Sequence, residues 1–320
     1  MNSETVTASL LRLKALLGPK GYHDDPDDLA PWLVDWRGVF HGAARALLSP
    51  ANVSEVAAIV SIAREAGLPI VPQGGNTGMV GGATPSPSGD SVLLSLRRMN
   101  AIRSIDATSG IAVAEAGVIL GNLHDAALAK GMRFPLSLGA KGSATIGGLV
   151  STNAGGTQVL RFGTMRKLVL GVEAVLPDGS IYDGLAALKK DNRGYDLTQL
   201  LIGAEGTLGV VTAASLRIVP AIGDRAVGWV GVESPQAALR LLRWLEARSG
   251  EAIESFEVVP RDTLDLVLRH IPGTRAPLQT GSAWNVLVEH VSAGGSRAAL
   301  EELLGGALNE ALAQDAVVSA

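Results

Sequence analysis

The chain has 320 residues, 47% of them hydrophobic and 18% charged, with a formal net charge of −4 and no cysteine. This length gives room for two domains and a sizeable core. The acidic balance argues against nucleic acid as the main partner, since no basic stripe is present to neutralise phosphates, and the lack of cysteine excludes disulfides, thiolate catalysis and a cysteinyl link to a prosthetic group.

Met1 to Lys14 carries Glu4 ahead of its first basic residue and lacks a long apolar core. It reads as a short amphipathic helix with Leu10, Leu13, Leu16 and Leu17 on one face, not as a signal peptide. No later stretch has the run of uncharged apolar residues that crosses a bilayer, so no integral membrane segment is expected, and a cytoplasmic location is the default. Asp24-Asp25-Pro26-Asp27-Asp28 is an acidic, proline-broken surface turn. Val53 to Ala66 has helical spacing at Val56, Ile59, Val60 and Ala63, and Gly67 is its C-cap. Ile70-Val71 starts a strand, and Val92 to Leu96, Ile102 to Ile105 and Ile111 to Ala116 read as further strands. Ile119 to Lys130 is expected as a helix with Leu123, Ala127 and Leu128 inward, stopped by Gly131. Val169 to Leu176, the turn Pro177-Asp178-Gly179-Ser180 and Ile181-Tyr182 form a hairpin. Leu208 to Val219 closes this region, with Pro220 at its edge. Gln236 to Ala247 is amphipathic through Leu239, Leu242 and Leu245. Ala283 to Val291 looks like a strand, followed by Gly294-Gly295 and a helix from Arg297 to Ala313. The class is α+β.

Three glycine-rich blocks punctuate these elements. Pro72-Gln73-Gly74-Gly75-Asn76-Thr77-Gly78-Met79-Val80-Gly81-Gly82 follows the β-prone run and holds five glycines in the nine residues from Gly74. Without a Cβ, glycine accepts positive φ and lets backbone N–H groups approach an anion closely. The spacing fits neither G-x-G-x-x-G nor a loop closed by Lys-Ser/Thr, and Pro85 and Pro87 prevent direct continuation into a helix. The second block runs from Gly139 to Gly156 and the third from Ile202 to Val211. Alone, the second would also suit small-residue helix packing and Glu205-Gly206-Thr207 a plain turn. In this order they point to a dinucleotide site of another architecture.

PQGGNTGMVGG, LGAKGSATIGG, STNAGG, DNRGYDL (Asp191 to Leu197) and GAEGTLGVV resemble the FAD-binding domain of the vanillyl-alcohol oxidase / p-cresol methylhydroxylase superfamily. Within it they are most similar to FAD-dependent D-2-hydroxyacid dehydrogenases, the D-2-hydroxyglutarate dehydrogenase branch above all. The resemblance runs from about Asp35-Trp36-Arg37 to the last residues. It implies a two-lobed α+β PCMH-type FAD-binding domain at 43–221, preceded by a helix and lead-in at 1–42 and followed at 222–320 by the first part of an α+β substrate (cap) domain. It implies non-covalent FAD, with the pyrophosphate at Pro72, Gln73, Gly74, Gly75, Asn76, Thr77 and Gly78. Gly139, Ser143, Thr145, Gly148, Thr152, Asn153 and Gly155 would flank the isoalloxazine and ribityl chain, and Glu205, Gly206, Thr207 and Val210 the nucleotide side. The implied reaction is oxidation of a D-2-hydroxy acid (2-hydroxyglutarate, lactate or glycolate class) to the 2-oxo acid by hydride transfer to flavin N5. A quinone or electron-transfer protein would accept the electrons, and a homodimer is compatible. The alternative is a non-catalytic FAD-binding accessory subunit of a glycolate-oxidase-like complex.

The family's His-x-Gly-Asp-Gly-Asn-x-His-like metal stretch does not occur here, so the chain reads as ending within the cap. A divalent metal such as Zn is expected only in a full-length form, no catalytic residue is identified, and the chain alone is expected to be nearly inactive. Leu239, Leu242, Val286 and Leu287 are expected to lack cover in such a half-cap. His23, His41, His124, His270 and His290 have no zinc-motif spacing and read as structural or exposed. His290 beside Glu289 is the one that stands apart. Trp36 is expected to be packed with Arg37 at the surface, the alternative being contact of the pair with a substrate carboxylate. Arg97-Arg98 and Lys189-Lys190 read as solvated pairs.

Overall fold

The helix Val53–Ala66 shows how directly the sequence is read by the fold. Asn52 is extended and its side chain accepts from the Glu55 N–H, and Gly67 ends the helix in the left-handed region at φ 63. Between these caps Val56, Ile59, Val60 and Ala63 point inward and are buried. They form one core with Leu13 and Leu17 of the N-terminal helix Ser3–Gly21 and with Val92 and Leu94 beneath. The computed structural model describes residues 3–188, 192–249, 252–279, 281–292, 296–313 and 319. Lys189, Lys190, Asp191, Gly294, Gly295 and most of the closing segment after Ala313 lie outside the described residues.

By internal contacts the chain divides into two units. The first comprises Met1–Ala154 and Thr164–Val219, the second Gly155–Gly163 and Pro220–Ala320. The first unit contains a four-stranded sheet in the order Tyr22–His23, Leu47–Leu48, Val92–Ser95, Ile70–Gln73, the last three strands parallel. Its other sheet has five antiparallel strands in the order Ile102–Asp106, Ile111–Glu115, Val210–Arg217, Val169–Val175, Ile181–Asp183. The hairpin turn is made as its residues require: Asp178 accepts from the Ser180 N–H at 2.9 Å, and Gly179 takes φ 87.

The second unit has a three-stranded antiparallel sheet with Trp284–Ser292 between Asp224–Val232 and Ile253–Pro260. Helices Pro235–Ser249 and Arg297–Ala313 bury Leu241, Leu245 and Leu304 with Val230, Val286 and Val288 in its core. Leu242 and Val286 are therefore covered, against expectation. The short helix Val159–Phe162 belongs to this unit, where Arg161 donates to Glu254 at 3.0 Å and the Glu254 side chain is 3% exposed.

Several side chains face differently from expectation, because a helix turns 100° per residue. Leu120, Leu123 and Ala127 form the buried stripe of Leu120–Leu128, which leaves Leu128 63% exposed. Leu16 also projects outward, whereas the exposed Leu239 agrees with the expectation that it lacks cover. Trp36 is 60% exposed rather than packed. Arg97 stacks over Trp32 and Arg98 donates to the Ser49 carbonyl at 2.7 Å, so neither is merely solvated. Ile253–Pro260 and Arg261–His270 are elements that periodicity leaves unread, the helix having no buried residue. Adjacent strand residues point to opposite faces. Hence His290 is buried while Glu289 turns the other way to Arg225 and Ser255, and the two make no pair.

One polar cluster crosses the five-stranded sheet. Glu173 accepts from Arg103 at 3.2 and 3.1 Å and from the Thr212 hydroxyl at 2.7 Å. Burial would raise its carboxyl, but the hydrogen bonds from Arg103 and Thr212 outweigh that and hold it below its ordinary range. A depressed carboxylate stabilises the fold above its unfolded value, about 4.3, and loses that contribution as pH falls through the folded value. Glu173→Gln is expected to cost about 1.5–3 kcal/mol at pH 7. Its difference from wild type in urea unfolding should shrink below about pH 4.3; a difference constant down to pH 3 would refute a charge-based role.

Candidate functional site

The first glycine block follows the strand Ile70–Gln73 and the other two meet it within the first unit. Together they enclose a cavity of about 560 Å³, inside the range of roughly 300–1,000 Å³ usual for small-molecule sites. Its walls come from both sheets, with Leu94 on one side and Ala116, Val210 and Val211 on the other, and from the helix Ile146–Ser151. Of the residues singled out above for a cofactor, Ser143, Asn153, Gly155 and Thr207 do not line it, and the others do. Thr207 faces a smaller cleft of about 220 Å³ across the Gly206–Val210 wall. Gly155 lies in the second unit.

Backbone pressed against backbone is what brings the blocks together. A Cβ at Gly75 would overlap the Ser143 carbonyl oxygen, and one at Gly74 would sit 2.5 Å from Thr145 Oγ1. At Gly206, φ is 80 and a Cβ would lie 2.7 Å from Pro72 Cγ. Three residues other than glycine adopt positive φ among the described residues: Asn76 (51), Asn153 (47) and Glu205 (51), one in each block. Such conformations persist only where surroundings fix them, and they cluster at functional sites. Here the restraints are visible. Asn76 Nδ2 donates to the Val34 carbonyl at 2.7 Å, Asn153 Oδ1 accepts from the Arg166 N–H at 2.9 Å, and the Glu205 N–H donates to the Ser151 carbonyl at 2.9 Å.

The side chains of the first block thus serve the loop itself. Gln73 Nε2 donates to the Trp32 and Ala83 carbonyls at 2.9 and 2.8 Å, which braces the segment where the loop begins and ends. The N–H groups of Gly75, Asn76, Thr77 and Gly78, by contrast, donate to no carbonyl among the described residues. A half-buried N–H without a partner is costly, and a row of them is an anion-binding surface. Among the described residues the lining has no Lys, Arg or His, and Glu205 is its one ionisable side chain. An anion placed here would meet backbone dipoles and no cationic side chain among the described residues.

Sequence reasoning missed Arg166, which no motif marks. Its guanidinium donates to the Gln199 carbonyl at 2.6 Å and to the Ile202 carbonyl, just before the third block. With its N–H on Asn153, it ties the second block to the third. Among the described residues no three of His, Asp and Glu gather as a metal-binding group. His124 Nε2 pairs with the Leu136 carbonyl at 2.9 Å, and burial pushes its imidazole below the ordinary value.

Residues 44–184 match the model of an FAD binding domain. The chain is 39% identical over 308 residues to the mitochondrial D-2-hydroxyglutarate dehydrogenase of Arabidopsis thaliana, covering 96% of this chain and 55% of that protein. It is 43% identical over 270 residues to the mitochondrial D-2-hydroxyglutarate dehydrogenase of Bos taurus, covering 84% and 49%. The chain therefore spans about half the length of these curated relatives. Its fold matches a crystal structure of p-cresol methylhydroxylase with substrate bound at a TM-score of 0.73 and 19% identity, covering 99% of this chain and 66% of that one. The three blocks thus lie in an FAD-binding protein of the expected fold. The cytoplasmic expectation is corrected, because both relatives carry a mitochondrial location in their names; neither cysteine content nor the composition of the first residues fixes a compartment.

No helix of the described residues is long and apolar enough to cross a membrane. The contact between the first two blocks gives a paired test. Gly75→Ala must displace the Ser143 carbonyl and is expected to destabilise by about 1–3 kcal/mol. Gly78 has nothing within 4 Å of its Cβ position, so Gly78→Ala should stay within about 0.5 kcal/mol of wild type. Equal thermal shifts for the two variants would show that the close approach is not what constrains the loop.

Proposed function

We propose, for a chain that belongs to the FAD-binding family of the D-2-hydroxyglutarate dehydrogenases, that it serves the oxidation of a D-2-hydroxy acid to the corresponding 2-oxo acid. The observation that carries this reading is the row of N–H groups from Gly75 to Gly78 with no carbonyl partner, in a cavity without cationic side chains among the described residues, together with relatives at 39% and 43% identity that bear that name. Bound FAD would supply a two-electron acceptor for the hydrogen on the substrate's Cα. The chain's own part is to bind and orient. The N–H groups of the first block would hold the pyrophosphate without a compensating cation. Gly139, Thr145, Gly148 and Thr152 would lie along the flavin, where glycine and small hydroxyl residues leave room for a planar ring. Glu205, Gly206 and Val210 would close the nucleotide end. Ser143, Asn153 and Thr207 would act behind that surface, as supports.

The domains are assigned on the same reading, with 43–221 holding the cofactor and 222–320 contributing to the substrate side. The electron acceptor is a quinone or an electron-transfer protein, and two copies can associate. The relatives' dehydrogenase names favour an enzyme over an accessory flavin subunit.

FAD is held without a covalent bond, since no histidine among the described residues lines the cavity and the chain has no cysteine. Acid precipitation should leave a colourless pellet and a yellow supernatant; colour retained by the pellet would refute this. For the reaction, the protein that carries this chain is mixed anaerobically with D- and L-2-hydroxyglutarate, lactate and glycolate. D-2-Hydroxyglutarate or D-lactate should bleach the flavin on the order of 1 per second or faster. Bleaching by the L-isomers alone would overturn the reading.

A further inference from the structure

Among the described residues Glu205 is the single ionisable side chain of the about thirty that line the cavity, and its backbone takes a conformation that L-residues seldom adopt, φ 51. Its neighbours Gly203 and Gly206 both have φ 80, so the segment is a tight left-handed turn in which glycine would be the least strained residue at position 205 as well. The turn is pinned by the Glu205 N–H on the Ser151 carbonyl at 2.9 Å and the Gly203 N–H on the Val150 carbonyl at 3.0 Å. The pinning fixes where the side chain goes. Its Oε2 lies beside the end of the first block, 3.1 Å from the place a Cβ would take at Gly82. Among the described residues the carboxylate has neither a hydrogen-bond donor nor a cation for a partner.

This placement conflicts with anion binding and fits something else. Phosphate oxygens close to an uncompensated carboxylate would be repelled, whereas the N–H groups of Gly75 to Gly78 receive them without penalty. A carboxylate oxygen is instead a strong acceptor for a hydroxyl or amine, and charge-assisted hydrogen bonds are the stronger kind. In other dinucleotide folds an acidic residue takes the ribose hydroxyls for this reason. We propose that the Glu205 carboxylate is a donor-selective subsite. It accepts a hydrogen bond from the adenosine part of the dinucleotide, the ribose 2′-hydroxyl or the exocyclic amine, and turns phosphate away from that end. The subsite rests on the FAD reading of the cavity. It gives the site a polarity: pyrophosphate on the first block, uncharged donors at the third.

The test is calorimetric titration of the whole apo-chain, in EDTA, with FAD, ADP, 2′-deoxy-ADP, IDP and adenosine 2′,5′-bisphosphate, for wild type and Glu205→Ala. Thermal melting confirms that the variant is folded, and Glu205→Gly, which relieves the left-handed strain, is a second variant. Wild type should bind ADP about tenfold or more tightly than 2′-deoxy-ADP if the ribose 2′-hydroxyl is the donor, or than IDP if the amine is. It should reject the 2′-phosphate. In both variants these differences should fall to within about twofold, and FAD should weaken by about the factor that was lost. Equal affinity of wild type for ADP, 2′-deoxy-ADP and IDP would overturn the proposal, as would undiminished FAD binding by both variants. FAD binding that is absent in EDTA and restored in a parallel titration with Mg²⁺ would also overturn it, by assigning the carboxylate to a metal bridge. FAD bound without ribose or amine discrimination sinks the subsite alone; no FAD bound at all sinks the cofactor reading and the subsite together.

Discussion

The cavity depends on one steric condition: the backbone at Gly75 lies so close to the Ser143 carbonyl that only a hydrogen fits between them. That approach joins the first glycine block to the second, and Gly206 against Pro72 joins the third to the first. Side chains would hold these segments a residue's width apart. Their absence brings main-chain dipoles from three distant parts of the sequence around one space. The close packing of interiors then makes the arrangement rigid, because no segment can shift without opening a gap elsewhere.

Rigidity has a conformational cost, visible at Asn76, Asn153 and Glu205, each in the left-handed region. The polar side chains around the cavity mostly meet that cost. The side-chain N–H groups of Gln73 and Asn76 grip the carbonyls of Trp32, Ala83 and Val34. Arg166 grips carbonyls at Gln199 and Ile202. With those groups engaged elsewhere, the cavity surface among the described residues is made of N–H groups, small hydroxyl residues, apolar side chains such as Leu94, Leu138 and Val210, and one carboxylate. A surface of that kind can bind a large ligand bearing both charged and uncharged polar groups, provided each lies at the correct end.

The second unit uses different means. Its core is a meeting of two helices with one sheet face, and Glu254, Ser255, Ser282, Asn285 and His290 are among its buried polar residues. Arg161 and Glu254 form an ion pair within it. His290 is buried there with neither ring nitrogen bonded among the described residues, and burial pushes its imidazole below the ordinary value.

Much of the fold was legible in the chain itself. The helices Val53–Ala66 and Arg297–Ala313 have the bounds that their periodicity gives, because capping and spacing are local properties. Glycine blocks are equally local, since the need for positive φ or for backbone contact is written in the residue type. What sequence order could not express was partnership. Gln73 and Asn76 look like ligand-binding side chains in a row of residues, yet their amides are consumed by carbonyls some 40 positions earlier. Arg166 carries no motif, and its role exists only once Gln199 and Ile202 are folded against it. His290 and Glu289 are neighbours in sequence but lie on opposite faces of a strand. The sequence by itself determined the strongly patterned elements, the cofactor class and the three blocks that form the cavity, but not Ile253–Pro260 or Arg261–His270. The tertiary structure alone decided which polar groups face that cavity and which hold it in shape, because a hydrogen-bonding group can serve either purpose until its partner is in place.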